Sequence, residues 1–547
     1  MVFSRHLLIL LPVLPTLHGQ SDILDSGGKL TAAQAACDIT YYDLDLRVYP
    51  DDRSVAGTLT LQAQIVHPLP AFELDLDTLL QVAKVEEIDR DGRHIALPWT
   101  REAGKLYLNM GRTRQPGEWV KLAVLYGGRP RIAPNPPWDG GFTFSQTPSG
   151  AHWIATSCQT NGADLWWPVK DHVSDEPDSM SMHIRVPEPL VVASNGRLQS
   201  VESHNDGTRT YHWHVSTPIN VYNIALNIAP YETLSGSLRS VAGDTFPVVF
   251  YCLPEDFSKA EKLFPEILDH LRFYEKYLGP YPFRADKYGV AQTPHLGMEH
   301  QTIIAYGAKF ANGSMTGGRD WGFDALHHHE LGHEWWGNLV TNADWKDMWI
   351  HEGFCSYMQA LYQEDRLGKD AYLTYIHGMR RFTDKLPVAP REGKTAKEIY
   401  RAPIYNKGSW ILHTLRYLLG DEVFFRCLRR MVYPDPALEA STDGSACRFV
   451  DTQDFIQRCE TESGRSLNWF FDIYAHRAEL PELEISVEGG LLRLRWKTAD
   501  NLPFPMPVTI ITNGKLRRIE VPVGGVEIPF PGKEAPRVDP EGWILRR

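Results

Sequence analysis

Four residues in the stretch HHHELGHEWWGNLVTNADWKDMWIHE, residues 327–352, have the types and spacing of a hydrolytic metal centre. His329, Glu330 and His333 form an H-E-x-x-H unit, and on a helix a spacing of four sets both imidazoles on one face, about one turn apart. A catalytic zinc takes three protein ligands and keeps one position open for water, so two histidines leave the site one ligand short. Glu352 follows His333 after eighteen intervening residues, and the apolar spacing of Phe354, Tyr357, Met358 and Leu361 predicts a second helix over 352–366 that supplies the third ligand. Glu330, on a different part of the first helix, stays free to act as general base on the water. His327 and His328 read as ordinary helix residues. Two imidazoles, a carboxylate and an open position point to zinc, one ion per chain, rather than calcium or magnesium; cobalt or manganese can replace it in vitro.

The elements that position these groups follow from periodicity. The chain has 547 residues, too many for one hydrophobic core, and its 43% hydrophobic and 23% charged residues are those of a globular protein. From about Ala36 apolar residues alternate with polar ones: Leu44, Leu46 and Val48 against Asp43, Asp45 and Arg47, then Leu59, Leu61, Ala63 and Ile65 after a turn at Pro50, Asp51 and Asp52. Residues 20–234 therefore read as a mostly antiparallel β domain. Leu263, Ile267, Leu271 and Tyr274 then fall on one face of a helix over Phe257–Leu278, with Gly279 as its stop. Helical segments over 352–366 and 405–430 make 235–478 a mainly helical unit that holds the metal motif. Period two returns at Leu483, Ile485 and Val487, and Leu492, Leu494 and Trp496 answer it across Gly489-Gly490, so 479–547 reads as a small β-sandwich. The fold class is α+β, multidomain.

Charge and targeting signals narrow the setting. The net charge of −12 and the lack of any Lys/Arg cluster that tracks a phosphate backbone exclude nucleic acid as a partner. Residues 1–19 carry Arg5, an apolar stretch broken by Pro12 and Pro15, and then small and polar residues, the layout of a secretory signal peptide; an exported protein, periplasmic or extracellular, is expected. No other apolar run reaches the length of a transmembrane helix. Seven cysteines lack C-x-x-C spacing, and a bridge among Cys427, Cys447 and Cys459 is open.

The chain resembles the aminopeptidase N and leukotriene hydrolase family of zinc metallopeptidases, within the thermolysin-like gluzincins. Beyond the ligand spacing, residues 333–338 (HEWWGN) and 345–354 (WKDMWIHEGF) look like the family's H-x-W-x-G-N and W-x-D-x-W-L-N-E-G-F segments. Leu296-Gly297-Met298-Glu299-His300 looks like its G-x-M-E-N exopeptidase motif, departing at Leu296 and His300. The resemblance implies a thermolysin-like catalytic domain in which Glu299 takes the α-ammonium of a peptide, with Gly297 and Met298 beside the substrate. A carboxylate near the metal would hold that ammonium one residue from the scissile carbonyl. Tyr405-Asn406-Lys407-Gly408 matches Y-x-K-G, whose tyrosine donates to the oxyanion, a suitable task for a neutral phenol. The segment Ser157-Cys158-Gln159, followed by Trp167-Pro168 and Asp171, resembles one that sends a glutamine, here Gln159, to the substrate's amino end. The large helical C-terminal domain of many relatives is not matched, since only about 65 residues follow Leu480. The expected activity is removal of N-terminal residues from peptides with a free amino end. The alternatives are a lipid-epoxide hydrolase, because the family contains one, and a non-catalytic member of the fold.

Overall fold

The structure is a computed structural model that describes residues 24–547 except 382–384, 513 and 533–535. The expected signal segment 1–19 lies outside the described residues.

Alternation from Cys37 onward produces strands with one buried face. Cys37–Tyr49 turns at Pro50 and pairs antiparallel with Ser54–Ile65, Leu44 opposite Leu59. Tyr42, Leu44, Leu46 and Val48 are buried, while Asp43 and Asp45 between them reach solvent. These two strands lie at the middle of an eight-stranded sheet ordered Arg197–Ser203, Thr208–Val215, Ser179–Pro187, Cys37–Tyr49, Ser54–Ile65, Trp119–Gly128, Leu80–Ile88 and His94–Ala96. Only Cys37–Tyr49 and Ser179–Pro187 run parallel in it. Smaller sheets of four and three strands share its core, which holds Trp166, Trp167 and Trp213.

The region expected to be mainly helical opens with a sheet instead. Its strands are ordered Glu232–Arg239, Thr245–Cys252, Tyr288–Gln292, Ile304–Tyr306 and Gly297–Met298. Short apolar runs such as Tyr288–Gln292, buried along their whole length, carry no alternation and so read equally as helix or strand. The division at 234/235 falls inside the first of these strands. The helices are α1 (Phe257–Leu278), α2 (Ala325–Gly332), α3 (Trp349–Leu367), α4 (Lys369–Gly378), α5 (Ala396–Ile399), α6 (Ala402–Leu419), α7 (Asp421–Val432), α8 (Thr452–Ser463) and α9 (Asn468–Tyr474). α1 matches its expected bounds and stops at Gly279, whose φ of 102° suits glycine. α3 starts at Trp349, three residues before the expected start, because a 3₁₀ turn over Trp345–Asp347 leads into it; Glu352 thus sits one turn inside. The expected segment 405–430 is two helices, broken at Gly420 with φ 79°.

The C-terminal strands form a three-stranded sheet (Glu482–Glu488, Leu491–Lys497, Val526–Pro529) and a hairpin (Val508–Thr512, Lys515–Ile519). Leu492, Leu494, Met506 and Val508 join the same core as α3 and α6, so these strands brace those helices. All seven cysteines are free thiols, and the bridge considered among the last three is not formed. Among the described residues no helix is long and apolar enough to cross a membrane.

Glycine sets the distance between the two helices that matter most. A Cβ on Gly353 of α3 would stand 2.9 Å from the Cα of Gly408 and 2.9 Å from the carbonyl oxygen of Ile404, both in α6. The backbones touch there, one residue after Glu352 and three after Tyr405. Gly353→Ala is expected to force the helices apart at a cost of about 1–3 kcal/mol, typical of overpacking. Thermal unfolding checks this, and a melting temperature equal to that of the unmodified protein would mean the contact yields.

Candidate active site

Local structure first fixes the H-E-x-x-H helix. Asp324 caps α2, its Oδ1 accepting from the His327 backbone N–H at 3.0 Å while its Oδ2 accepts from the Tyr306 hydroxyl at 2.5 Å. Every residue of α2 is buried. His327 and His328 pack among Phe273, Tyr288, Phe323 and Tyr362, away from the ligands, as their reading as helix residues anticipated. His333 is the C-cap residue but keeps helical angles, so its imidazole still falls one turn beyond that of His329. The two rings stand 4.9 Å apart.

α3 carries Glu352 to this pair. Its Oε2 lies 3.1 Å from His329 Nε2 and 3.5 Å from His333 Nε2. His333 Nδ1 donates to the Trp336 carbonyl at 3.0 Å, which turns Nε2 toward Glu352. Burial opposes ionisation of Glu352, but the charge at His333 and the hydrogen bond from His329 outweigh it and hold the carboxylate below its ordinary range. Burial also draws His329 below its usual value, toward the neutral form that ligates metal. The three donor atoms lie within 4.8 Å of one another. An N,N,O set, buried on one side and facing a cavity on the other, fits zinc with an open position.

The cavity measures about 720 Å³, the size of a small-ligand site, and its wall includes all nine residues singled out in the sequence. Glu330 lines it beside the ligands, and burial lifts its carboxyl well above the usual range, toward a group that exchanges protons. Gly297 makes room for it, since a Cβ there would meet Glu330 Oε1 at 2.6 Å. Gly297 and Met298 form a short strand paired with Ile304–Tyr306, which delivers Glu299 at its end. Burial raises Glu299 to about 7. Its Oε1 accepts from Gln159 Nε2 and, at 3.2 Å, from the Tyr222 hydroxyl. Gln159 follows the strand His152–Ser157, so the β region does reach the cavity. Asp171 does not line it; its Oδ1 accepts from the Ala163 backbone N–H at 2.8 Å and so supports the loop after Gln159. Of the motif departures, Leu296 lines the cavity, whereas His300 is buried outside its wall.

Tyr405 enters on the first turn of α6, its ring stacked on His329 at 6.0 Å. Burial keeps its phenol protonated far past its usual range. Its hydroxyl donates at 2.9 Å to that of Tyr400, a residue the sequence reading passed over. The Tyr400 hydroxyl faces Glu352 Oε1 and, at 2.9 Å, Gln159 Oε1. Tyr400 therefore orients the carboxylate ligand from behind while touching both ends of the site. Nothing in the local pattern KEIYRAPIY distinguishes it from a packing tyrosine.

Comparison with known sequences bears on this arrangement. Residues 266–474 match the Peptidase family M1 domain, and residues 39–222 match the Peptidase M1 N-terminal domain. The chain belongs to the peptidase M1 family. Similar M1 sequences include endoplasmic reticulum aminopeptidase 2 of Bos taurus, 28% identical over 270 residues, which cover 46% of this chain and 28% of the relative. Leucine aminopeptidase 2 of Aspergillus clavatus is 27% identical over 304 residues, 52% of this chain and 46% of that protein. Tricorn protease-interacting factor F2 of Thermoplasma volcanium is 22% identical over 396 residues, 68% and 47% of the two chains. This chain thus spans less than half the length of these relatives. The M1 fold extends further: an M1 zinc metallopeptidase from Deinococcus radiodurans superposes with a TM-score of 0.66 at 23% identity, covering 84% of this chain and 98% of that one.

Partners behind a ligand tune metal affinity, often by 10–100-fold. Tyr400→Phe keeps the ring and removes the donor to Glu352, so zinc affinity is expected to fall by roughly tenfold or more. Competition against a chelator of known affinity measures it, and unchanged affinity would reduce Tyr400 to a packing role.

Proposed function

We propose that this M1 protein is a zinc-dependent aminopeptidase that removes the first residue from peptides with a free amino end. One observation carries the reading: Glu299, a buried carboxylate, lines the same cavity as the three ligands and is tied through Gln159 and Tyr400 to Glu352 itself. A negative group so placed favours a positive amino terminus close to the metal.

His329, His333 and Glu352 would hold a zinc ion, which would supply Lewis acidity toward the scissile carbonyl and its water. Glu330, which lines the cavity beside the ligands, would take a proton from that water on its carboxylate and pass it to the leaving amine. The Tyr405 hydroxyl, held protonated, turns from Tyr400 to the oxygen on which negative charge develops. Glu299 and the Gln159 side-chain carbonyl receive the substrate's ammonium, and that anchoring selects the first peptide bond. Activities named for the mammalian and fungal relatives agree in class. The basic-then-apolar residues 1–19 support export, and the changes of periodicity around residue 250 and near Leu480 support three structural units after that segment.

The test is hydrolysis of a panel of aminoacyl fluorogenic amides beside their N-acetylated forms. Release from free but not acetylated amides, abolished by a chelator and restored by zinc, is expected; equal release from both would remove the aminopeptidase reading. Glu330→Gln should retain one zinc per chain and lose roughly 10²–10⁴-fold in kcat. Metal analysis beside the kinetics would expose Glu330 as a ligand if zinc were lost too. Tyr405→Phe should lower kcat by roughly 10²–10³-fold with little change in KM, and a defect confined to KM would contradict its oxyanion role.

A further inference from the structure

A second set of imidazoles and carboxylates sits on the eight-stranded sheet. His183, on the strand Ser179–Pro187, is paired directly across from His212, on Thr208–Val215. Their Nδ1 atoms face each other at 2.7 Å. The outer nitrogens face carboxylates: His183 Nε2 lies 3.3 Å from Asp43 Oδ1, and His212 Nε2 lies 3.7 Å from Glu202 Oε2. Asp45 stands opposite His183 on the neighbouring parallel strand. Both histidine side chains are about one quarter to one third exposed, so an ion can reach them.

Proton placement makes this arrangement exchangeable. A single N–H on one ring bridges the two Nδ1 atoms at 2.7 Å. His183 Nε2 is placed to donate to Asp43 at 3.3 Å, whereas His212 Nε2, 3.7 Å from Glu202, is beyond hydrogen-bond distance and reaches water. A metal ion that displaces the bridging proton would take one lone pair from each ring. The Asp43 contact is the one expected behind a metal-bound histidine, which usually donates its second ring N–H to such a group. Zn–N bonds of about 2.0–2.1 Å at a tetrahedral angle put the nitrogens roughly 3.3 Å apart, so the rings need part by only about half an ångström. Partly exposed side chains on a sheet allow that, while the cross-strand register keeps them facing.

We propose that His183 and His212 form a second metal site, separate from the cavity, that takes one divalent ion of the imidazole-preferring class, zinc or copper, with water completing the coordination. The ion bridges two adjacent strands of the N-terminal sheet, and by binding the folded form alone it raises stability with metal concentration.

Zinc-loaded protein, freed of excess ion, is titrated with zinc chloride by calorimetry, with circular dichroism and peptide hydrolysis as controls for fold. Unmodified protein is expected to take up a second equivalent and to melt at a higher temperature with it. His183→Gln and His212→Gln should each abolish that equivalent, and Asp43→Asn should weaken it by roughly 10–100-fold. His214→Gln, whose ring nitrogen in the unmodified protein lies 3.1 Å from the Ser181 hydroxyl, should leave it intact. A second equivalent that survives in both histidine variants would overturn the proposal, marking an adventitious ion only or one held by Glu299, Glu330 and His333 in the cavity. No second equivalent in the unmodified protein would also overturn it, because a proton then fills the gap. Should a histidine variant fail to fold, Cu²⁺ added to the unmodified zinc-loaded protein gives an independent reading. Paramagnetic resonance should show coupling to a pair of nitrogens, and a spectrum without it would overturn the assignment.

Discussion

A carboxylate that is 1% exposed on a buried helix face is the constraint on which the catalytic half of this protein rests. Glu352 cannot hold a charge there alone, because removing an ion from water costs several kcal/mol unless partners replace the lost solvation. Two imidazoles from α2 and the Tyr400 hydroxyl supply those partners, and a dication completes the balance. Each comes from a different segment, so α2, α3 and the residues leading into α6 must meet within hydrogen-bonding distance. The Gly353–Gly408 contact, where no side chain separates α3 from α6, meets that requirement.

The same network spans the cavity. Glu299, Gln159, Tyr400, Tyr405 and Glu352 form a continuous run of polar contacts from Glu299 to the ligand set. Because its members are side chains on short, anchored segments, the interval between Glu299 and the ligand set is fixed by the fold. On the function proposed above, a fixed interval is what distinguishes an enzyme that counts one residue from an amino end from one that cuts within a chain.

The β region takes part in fixing that interval. Beyond Gln159, Asn195 Nδ2 donates to the Gln301 carbonyl at 2.6 Å, and the Gly196 backbone N–H donates to Thr302 Oγ1 at 2.7 Å. Lys287 Nζ donates to the carbonyls of Ser194, Gly196 and Thr302, although burial draws its pKa down to about 7. These bonds fasten the segment just after Glu299 to the strand end at Ser194. His300, where the family motif carries asparagine, is buried beside them with neither ring nitrogen partnered, and burial keeps it neutral by lowering its pKa to about 3. The structure offers no physical account of that choice of residue.

Much of the site was legible in one dimension because its chemistry is bound to helical spacing. His329 and His333 share a face whatever surrounds them, and the apolar period after Glu352 placed a second helix within three residues of its true start. The alternation of Leu44, Leu46 and Val48 likewise dictated a half-buried sheet, since period two leaves one face apolar. Tertiary structure alone decided the rest. The short strand Tyr288–Gln292 lies inside a covered sheet, where every residue is buried and periodicity vanishes. The break at Gly420 depended on a backbone turn that an otherwise helical pattern conceals. Tyr400 became a partner of Glu352 only through a contact spanning 48 residues, and His183 met His212 only through strand register. Spacing along a helix is a local property that sequence determines by itself, whereas which hydroxyl lies behind a ligand, or which imidazole faces another, is settled by where distant segments pack.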